Sequence, residues 1–206
     1  RPARLRGAAA RREGRRAGPR RAPVVKAGAN PPMGATDVSA LILSRIRDVP
    51  DYPKPGVLFK DITPLLADHE AFSVVVDELA AGLEVDKVVG IEARGFILAA
   101  PVAYRCGAGF VPVRKKGKLP AETLSASYDL EYGSAVIEVH RDAFAPGDRV
   151  LIVDDVLATG GTALAAVELI RSAGAEVAGV SVLLELAFLK GRSRLSGVNL
   201  RSLVVV

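Results

Sequence analysis

The stretch LIVDDVLATGGT, Leu151 to Thr162, runs from apolar residues into two adjacent carboxylates and then into a small-residue loop with two glycines. Ala158, Thr159, Gly160, Gly161 and Thr162 lie between a strand pattern and a helix pattern. Small side chains there let backbone N–H groups approach a phosphate closely, threonine hydroxyls add donors, and the helix N-terminus presents its positive end. Asp154 and Asp155 would repel that phosphate, so they suit the hydroxyl groups of a sugar. Each hydrogen bond to an ionised acceptor contributes roughly 1.5–3 kcal/mol. A phosphate cradle beside two hydroxyl acceptors describes a ribose 5-phosphate site. The plainer alternative is a capped turn with two solvent-facing acids.

Other phosphate-binding patterns do not fit. The chain has no G-x-x-x-x-G-K-[ST] loop, and Gly107-Ala108-Gly109 precedes a strand pattern instead of following one, as a dinucleotide fingerprint would. LIVDD alone is like the acidic strand of a nucleotide hydrolase, but that reading leaves ATGGT without a role.

The elements that must position these residues are visible in the periodicity. Asp37 is placed to cap a helix through about Asp48, with Val38, Leu41, Ile42 and Ile46 on one face. Prolines 53, 55 and 64 in DYPKPGVLFKDITPLL predict a shaped loop. Asp68 starts a second helix, to about Leu83. KVVGIE reads as a buried strand, ARGFILAAPVAYRCG as the helix after it, and GFVPVR as the next strand. RKKGKLPAETLSAS is a long polar connection, followed by short antiparallel strands SYDLEYG and SAVIEVH around Gly133. RVLIVDD is a strand ending at the acid pair, GTALAAVELIRSAG a helix closing on Gly174, and EVAGVSVLLEL a further buried strand. Near-continuous apolar strands alternating with helices imply an α/β domain whose mostly parallel sheet is covered on both faces. Ligands of such sheets bind beyond the carboxyl ends of the strands, where Asp154 and Asp155 fall.

Composition narrows the class. Half of the 206 residues are apolar, and no apolar run approaches the ~18 residues of a membrane span. Cys106 is the sole cysteine, which excludes an internal disulfide framework and fits a reducing compartment; it reads as a small buried hydrophobe. His69 and His140 lie far apart in no metal-ligand spacing and read as surface or edge residues. The net charge of +5 comes from residues 1–32, whose nine Arg and one Lys oppose a single Glu, so residues 33–206 sum to −4. A nucleic-acid partner inferred from overall charge is thereby disfavoured. With almost no large apolar residues, that tail is expected to be disordered. It reads either as a transit-peptide-like segment, although it lacks Ser and Thr, or as sequence upstream of a start at Met33. A cytoplasmic location is expected, or a plastid or other organelle if the tail is a transit peptide.

LIVDDVLATGGT resembles the phosphoribosyl-pyrophosphate (PRPP) signature of type I phosphoribosyltransferases. IRDVPDYPKPGVLFKDITPLL, GIEARGFILAAPVA, VPVRKKGKLPAETLSASYDLEYG and VLLELAFLKGRSRL resemble, in order and spacing, the adenine phosphoribosyltransferases of that family, from about Ser39 to Val206. The resemblance implies the type I phosphoribosyltransferase fold, a mostly parallel sheet flanked by helices, with a small hood and a flexible catalytic loop. It implies transfer of ribose 5-phosphate from PRPP, with Mg²⁺, to N9 of adenine, giving AMP and pyrophosphate for purine salvage, in a homodimer. By that resemblance Asp154, Asp155 and the Ala158–Thr162 loop bind PRPP, with Mg²⁺ held mainly by substrate oxygens near the two acids. Arg94 binds the pyrophosphate, and Arg114, Lys115 and Lys118 add cations. Glu131 matches the general acid/base and Tyr132 its neighbour. Phe59 matches the residue stacked on adenine, Leu186 an apolar contact opposite, and the backbones of Leu58 and Lys60 the readers of the base edge. The loop from about Gly117 to Ser127 is expected to close over the substrates.

Overall fold

Leu151 and Val153 of the apolar run pack into one hydrophobic cluster, while Val150 and Ile152 pack into another. A strand whose alternate residues are buried on opposite faces lies at the centre of a sheet covered on both sides. The computed structural model describes residues 34–129 and 134–206. The basic tail and the segment 130–133, which holds Glu131 and Tyr132, lie outside the described residues.

Helix α1 (Ala35–Ser44) leads into strand β1 (Arg47–Val49), and β2 (Phe59–Asp61) pairs with β1 antiparallel. Helices α2 (Thr63–Ala67) and α3 (His69–Ala80) follow, then β3 (Lys87–Ile91), α4 (Gly95–Cys106), β4 (Gly109–Lys115) and the hairpin strands β5 (Thr123–Asp129) and β6 (Ser134–His140). The chain continues with β7 (Arg149–Leu157), α5 (Gly161–Ser172), β8 (Glu176–Glu185), two short 3-10 turns and β9 (Leu200–Val205). The strand order is β5-β6-β4-β3-β7-β8-β9; β4, β3, β7, β8 and β9 are parallel, and the β5–β6 hairpin adds antiparallel at the β4 edge. Helices α1 to α4 cover one face and α5 the other. Because the five parallel strands run the same way, Ile91, Lys115, Leu157 and Glu185 all end at one edge of the sheet. The segments that follow them converge there. The β1–β2 ribbon forms a separate two-stranded sheet, the expected hood.

Several boundaries differ from expectation for local reasons. Helix α1 begins at Ala35, so Asp37 sits in its first turn and not at its cap, and residues 47–49 enter the ribbon instead of prolonging the helix. The Phe59–Ala67 stretch, expected as loop, holds β2 and α2; Pro64 falls in the first turn of α2, where its missing N–H is harmless. Asp68 caps α3 as expected, its side chain accepting from the Ala71 amide. Thr123 to Ser127, expected in a flexible loop, lie in β5, with Leu124, Ala126 and Tyr128 packed against the α5-side core. β7 continues through Val156 and Leu157, both paired with β8, so the acids sit inside the strand and not at its last residues. Cys106 is half-buried against the first core cluster. His69 is exposed, and His140 ends β6 with Nε2 buried and unpartnered. β9 went unforeseen.

Close approach of α4 to the sheet sets where the β3 edge delivers its residues. A Cβ on Gly90 would lie 2.8 Å from the Ala99 Cβ, 2.9 Å from the Phe110 ring and 3.2 Å from the Gly95 carbonyl oxygen. Gly90→Ala is therefore expected to destabilise the fold by about 1–3 kcal/mol through overpacking, read as a lower urea midpoint at an unchanged slope.

Candidate active site

The loop after β7 bends into α5 through Gly160, whose φ of 81° favours glycine. A second reason for glycine is contact: a Cβ there would sit 2.5 Å from the carbonyl oxygen of Gly191. Val156, Leu157 and the Ala158–Thr162 loop, with Asp154 and Val182, line one small open pocket. No side chain caps the α5 N-terminus, so its first amides are free of such competition for an anion. The five loop residues of the sequence reading thus come together with Asp154.

The two acids differ. Asp154 is partly open to the pocket, and its Oδ1 accepts from the Asp155 amide at 2.9 Å. Asp155 is only 6% exposed, with Oδ2 2.7 Å from Arg94 Nη2. That approach lacks hydrogen-bond geometry, leaving the oxygen buried with an ion-pair neighbour alone. Burial, followed by the charge of Asp155, pushes the Asp154 carboxyl well above the ordinary range. Burial also raises Asp155, against the opposing pull of Arg94. The start of α4 presses on the pair, since a Cβ on Gly95 would lie 2.7 Å from Asp154 Oδ1.

Arg94, in the turn between β3 and α4, reaches two ways. Besides Asp155, its guanidinium stands 4.9 Å from the Phe59 ring centroid, a cation–π contact between the turn after β3 and the β1–β2 ribbon. Phe59 also meets Tyr52 edge-on at 5.1 Å. Lys60 pairs with Asp48 across the ribbon at 2.7 Å, which holds its side chain on the hood. Leu58, beside Phe59, is exposed; Leu186, past the end of β8, is half-buried and donates its amide to Leu157 at 2.9 Å.

The cations at the end of β4 and just beyond it are gathered by a residue the sequence reading passed over. Glu92 takes Lys118 Nζ at 2.9 Å and Arg114 Nε at 3.3 Å, and accepts the Lys115 amide at 3.1 Å. Burial opposes the charge most strongly, yet the Lys118 hydrogen bond, the Lys115 amide and the two cations together hold the carboxyl below its ordinary value. The signal was a lone acid at a strand end two residues before Arg94. Gly191, behind the cradle, was also missed; its backbone presses on Ala158 and Gly160.

Residues 61–196 match the phosphoribosyl transferase domain family. The chain is 66% identical over 175 residues to the adenine phosphoribosyltransferase of Thermobifida fusca strain YX, a match spanning 84% of this chain and 99% of that protein. The chain belongs to the adenine phosphoribosyltransferase family. Solved structures of adenine phosphoribosyltransferases agree in fold. That from Rhodothermus marinus superposes with a TM-score of 0.80 at 50% identity, covering 83% of this chain and 99% of that one. That from Saccharomyces cerevisiae, complexed with an imino-altritol bisphosphate and adenine, gives 0.77 at 37% identity, covering 82% and 99%. The adenine phosphoribosyltransferase fold read from the motifs is the one observed.

The acid pair has a consequence for stability. An acid whose pKa is higher folded than unfolded favours the fold at low pH, and that contribution is lost as pH rises through the folded value. At neutral pH the Asp154–Asp155 pair therefore burdens the fold. Asp154→Asn is expected to raise the melting temperature at neutral pH, with the gain shrinking on acidification, while PRPP binding falls. Melts across pH and calorimetric PRPP titration check both; a lower melting temperature at neutral pH would contradict the assigned direction.

Proposed function

We propose that the protein transfers the 5-phosphoribosyl group of PRPP to N9 of adenine, releasing pyrophosphate and forming AMP, a purine-salvage reaction. The observation that carries this reading is the Ala158–Thr162 cradle, opening on a pocket with Asp154, in a chain two-thirds identical to an adenine phosphoribosyltransferase. The cradle amides take the 5-phosphate. Asp154 and Asp155 accept from the ribose hydroxyls. Arg94, with Arg114, Lys115 and Lys118, takes the pyrophosphate as the bond from the anomeric carbon to its oxygen breaks and the bond from N9 forms. Such preorganised cations stabilise a leaving anion in the transition state. To do so, Arg94 exchanges Asp155, and Arg114 and Lys118 exchange Glu92, for the substrate's oxygens. Glu131 receives the N9 proton, with Tyr132 beside it. Phe59 stacks on adenine, Leu186 contacts its other side, and the Leu58 and Lys60 backbones read its edge.

Magnesium fits this site as part of the substrate. Among the described residues no group of three or more His, Cys, Asp or Glu side chains could hold a metal. Two carboxylates, one facing Arg94, suit an ion that keeps its water and enters on phosphate and hydroxyl oxygens. Bound there, the ion would neutralise charge on the departing pyrophosphate. A homodimer is supported by Ile97 and Tyr104, seven residues apart on the outer face of α4 and 47% and 86% exposed, with Phe110 of β4 also exposed at 38%. The place of work on this reading is the cytoplasm, or a plastid or other organelle if residues 1–32 are a transit peptide. Among the described residues no helix is long and apolar enough to cross a membrane.

The test offers adenine, hypoxanthine, guanine and xanthine with PRPP and Mg²⁺ to a chain beginning at Met33. Turnover of adenine alone is expected. Turnover of another base instead would refute the base assignment and keep the ribose site. Glu131→Gln is expected to lower kcat by a factor on the order of 10²–10⁴, as for a lost acid–base group, with the KM for PRPP little changed. An unaltered kcat, with chemistry limiting, removes Glu131 from the role.

A further inference from the structure

The segment joining β8 to β9 is fastened at both ends by one buried carboxylate. Glu185, the last residue of β8, is only 5% exposed. Arg192 grips it as a fork, Nε to Oε1 at 2.9 Å and Nη2 to Oε2 at 2.5 Å. Ser202 of β9 donates its hydroxyl to the same Oε2 at 2.5 Å and accepts from Arg192 Nη2 at 3.1 Å. Arg192 Nη1 also reaches the Leu200 carbonyl at 3.3 Å. These contacts close the chain from Glu185 to Arg192 into a loop tied to the last strand. The two-point fork has a geometry that lysine cannot reproduce.

That loop carries two residues of the site and little else. Leu186, next to Glu185, hangs from the Leu157 carbonyl by its amide. Gly191, next to Arg192, lies so close to the cradle that an added Cβ would stand 2.9 Å from the Gly160 nitrogen and closer still to the Ala158 carbonyl. Lys190 before it adopts a left-handed φ of 54°, uncommon for a side-chain-bearing residue, so the turn depends on its surroundings to persist. The amides that would meet the 5-phosphate are thus backed by a backbone whose position follows from the Arg192 side chain.

We propose that Glu185 and Arg192 are positioning residues that set the rear wall of the phosphate cradle, through Gly191, and the base-side wall, through Leu186, as one unit. The inference rests on the ribose-phosphate reading of the cradle given above. Neither side chain touches substrate in this account. A simple staple would affect only the stability of the fold. A positioning clamp must change the affinity of the folded protein for both substrates.

The experiment compares the full chain with Arg192→Met, Arg192→Lys and Glu185→Gln, measuring calorimetric affinity for ribose 5-phosphate, KM for PRPP and for adenine, kcat and melting temperature. Arg192→Met is expected to weaken ribose 5-phosphate binding by roughly ten- to a hundredfold, the scale of a small displacement of positioning groups. Both KM values rise with it, while kcat per folded molecule changes less. Arg192→Lys recovers part of the loss. Folded Arg192→Met with unchanged affinity and a lower melting temperature would overturn the proposal in favour of a staple. A rise in one KM only would overturn the joint role. If Arg192→Met does not fold, Glu185→Gln decides on the same readouts, since it keeps the side chain's size and its Ser202 contact; native affinity there overturns the clamp. Should the unaltered protein fail to bind ribose 5-phosphate, the cradle reading itself falls, and this inference with it.

Discussion

Two adjacent carboxylates lie inside a strand that is buried on both faces, and the surrounding structure is arranged to tolerate them. Water cannot solvate Asp155 freely, so Arg94 is drawn to within ion-pair distance. Asp154 finds a backbone amide and an opening to the pocket. Glycine at position 95 lets α4 start against the pair without a side chain in the way. A hydrophobic pair at these positions would fit such an interior better, which is the usual relation between buried ions and stability. Retaining the acids makes physical sense when a polyhydroxylated ligand supplies the hydrogen bonds that the protein withholds.

Three of the site's cations share a second property. They have acidic partners in the structure as it stands: Arg94 has Asp155, while Arg114 and Lys118 have Glu92. Paired in this way, long side chains keep a narrow set of conformations near the edge where the parallel strands end. On the proposed reading a polyanionic ligand would exchange one carboxylate partner for its own oxygens, with the side chains ordered already. This limits the entropy lost on binding.

Much of this organisation was legible in the sequence, because it follows from local pattern. The apolar run Val150–Val153, the Gly-Gly turn and the helix from Gly161 specify a strand, a tight bend and an uncapped helix start without long-range information. The hood was expected from the resemblance, but its two strands were not legible in local pattern, since β1 and β2 are three residues each and are stabilised by pairing across a proline-rich turn. The reach of β5 was hidden because its inward residues, Leu124, Ala126 and Tyr128, alternate with serines that read as loop, and α5 supplies their packing. Glu92 and Gly191 were missed for a related reason. Their roles depend on groups 22 to 33 residues away in the chain, Arg114 and Lys118 for one and Ala158 for the other. Glu131 and Tyr132 rest on family resemblance, as they lie outside the described residues.

The tie between Arg192 and the last strand bears on how the protein comes into being. A ribosome delivers the signature loop, Asp154 to Thr162, well before Leu200 and Ser202, whose oxygens help hold Arg192 in place. A nascent or prematurely ended chain can therefore carry every residue that names the ligand while lacking the support that shapes its seat. Substrate would then bind chiefly to finished molecules. Since a ligand stabilises the state that binds it, cellular PRPP would protect complete chains from proteolysis and leave incomplete ones exposed.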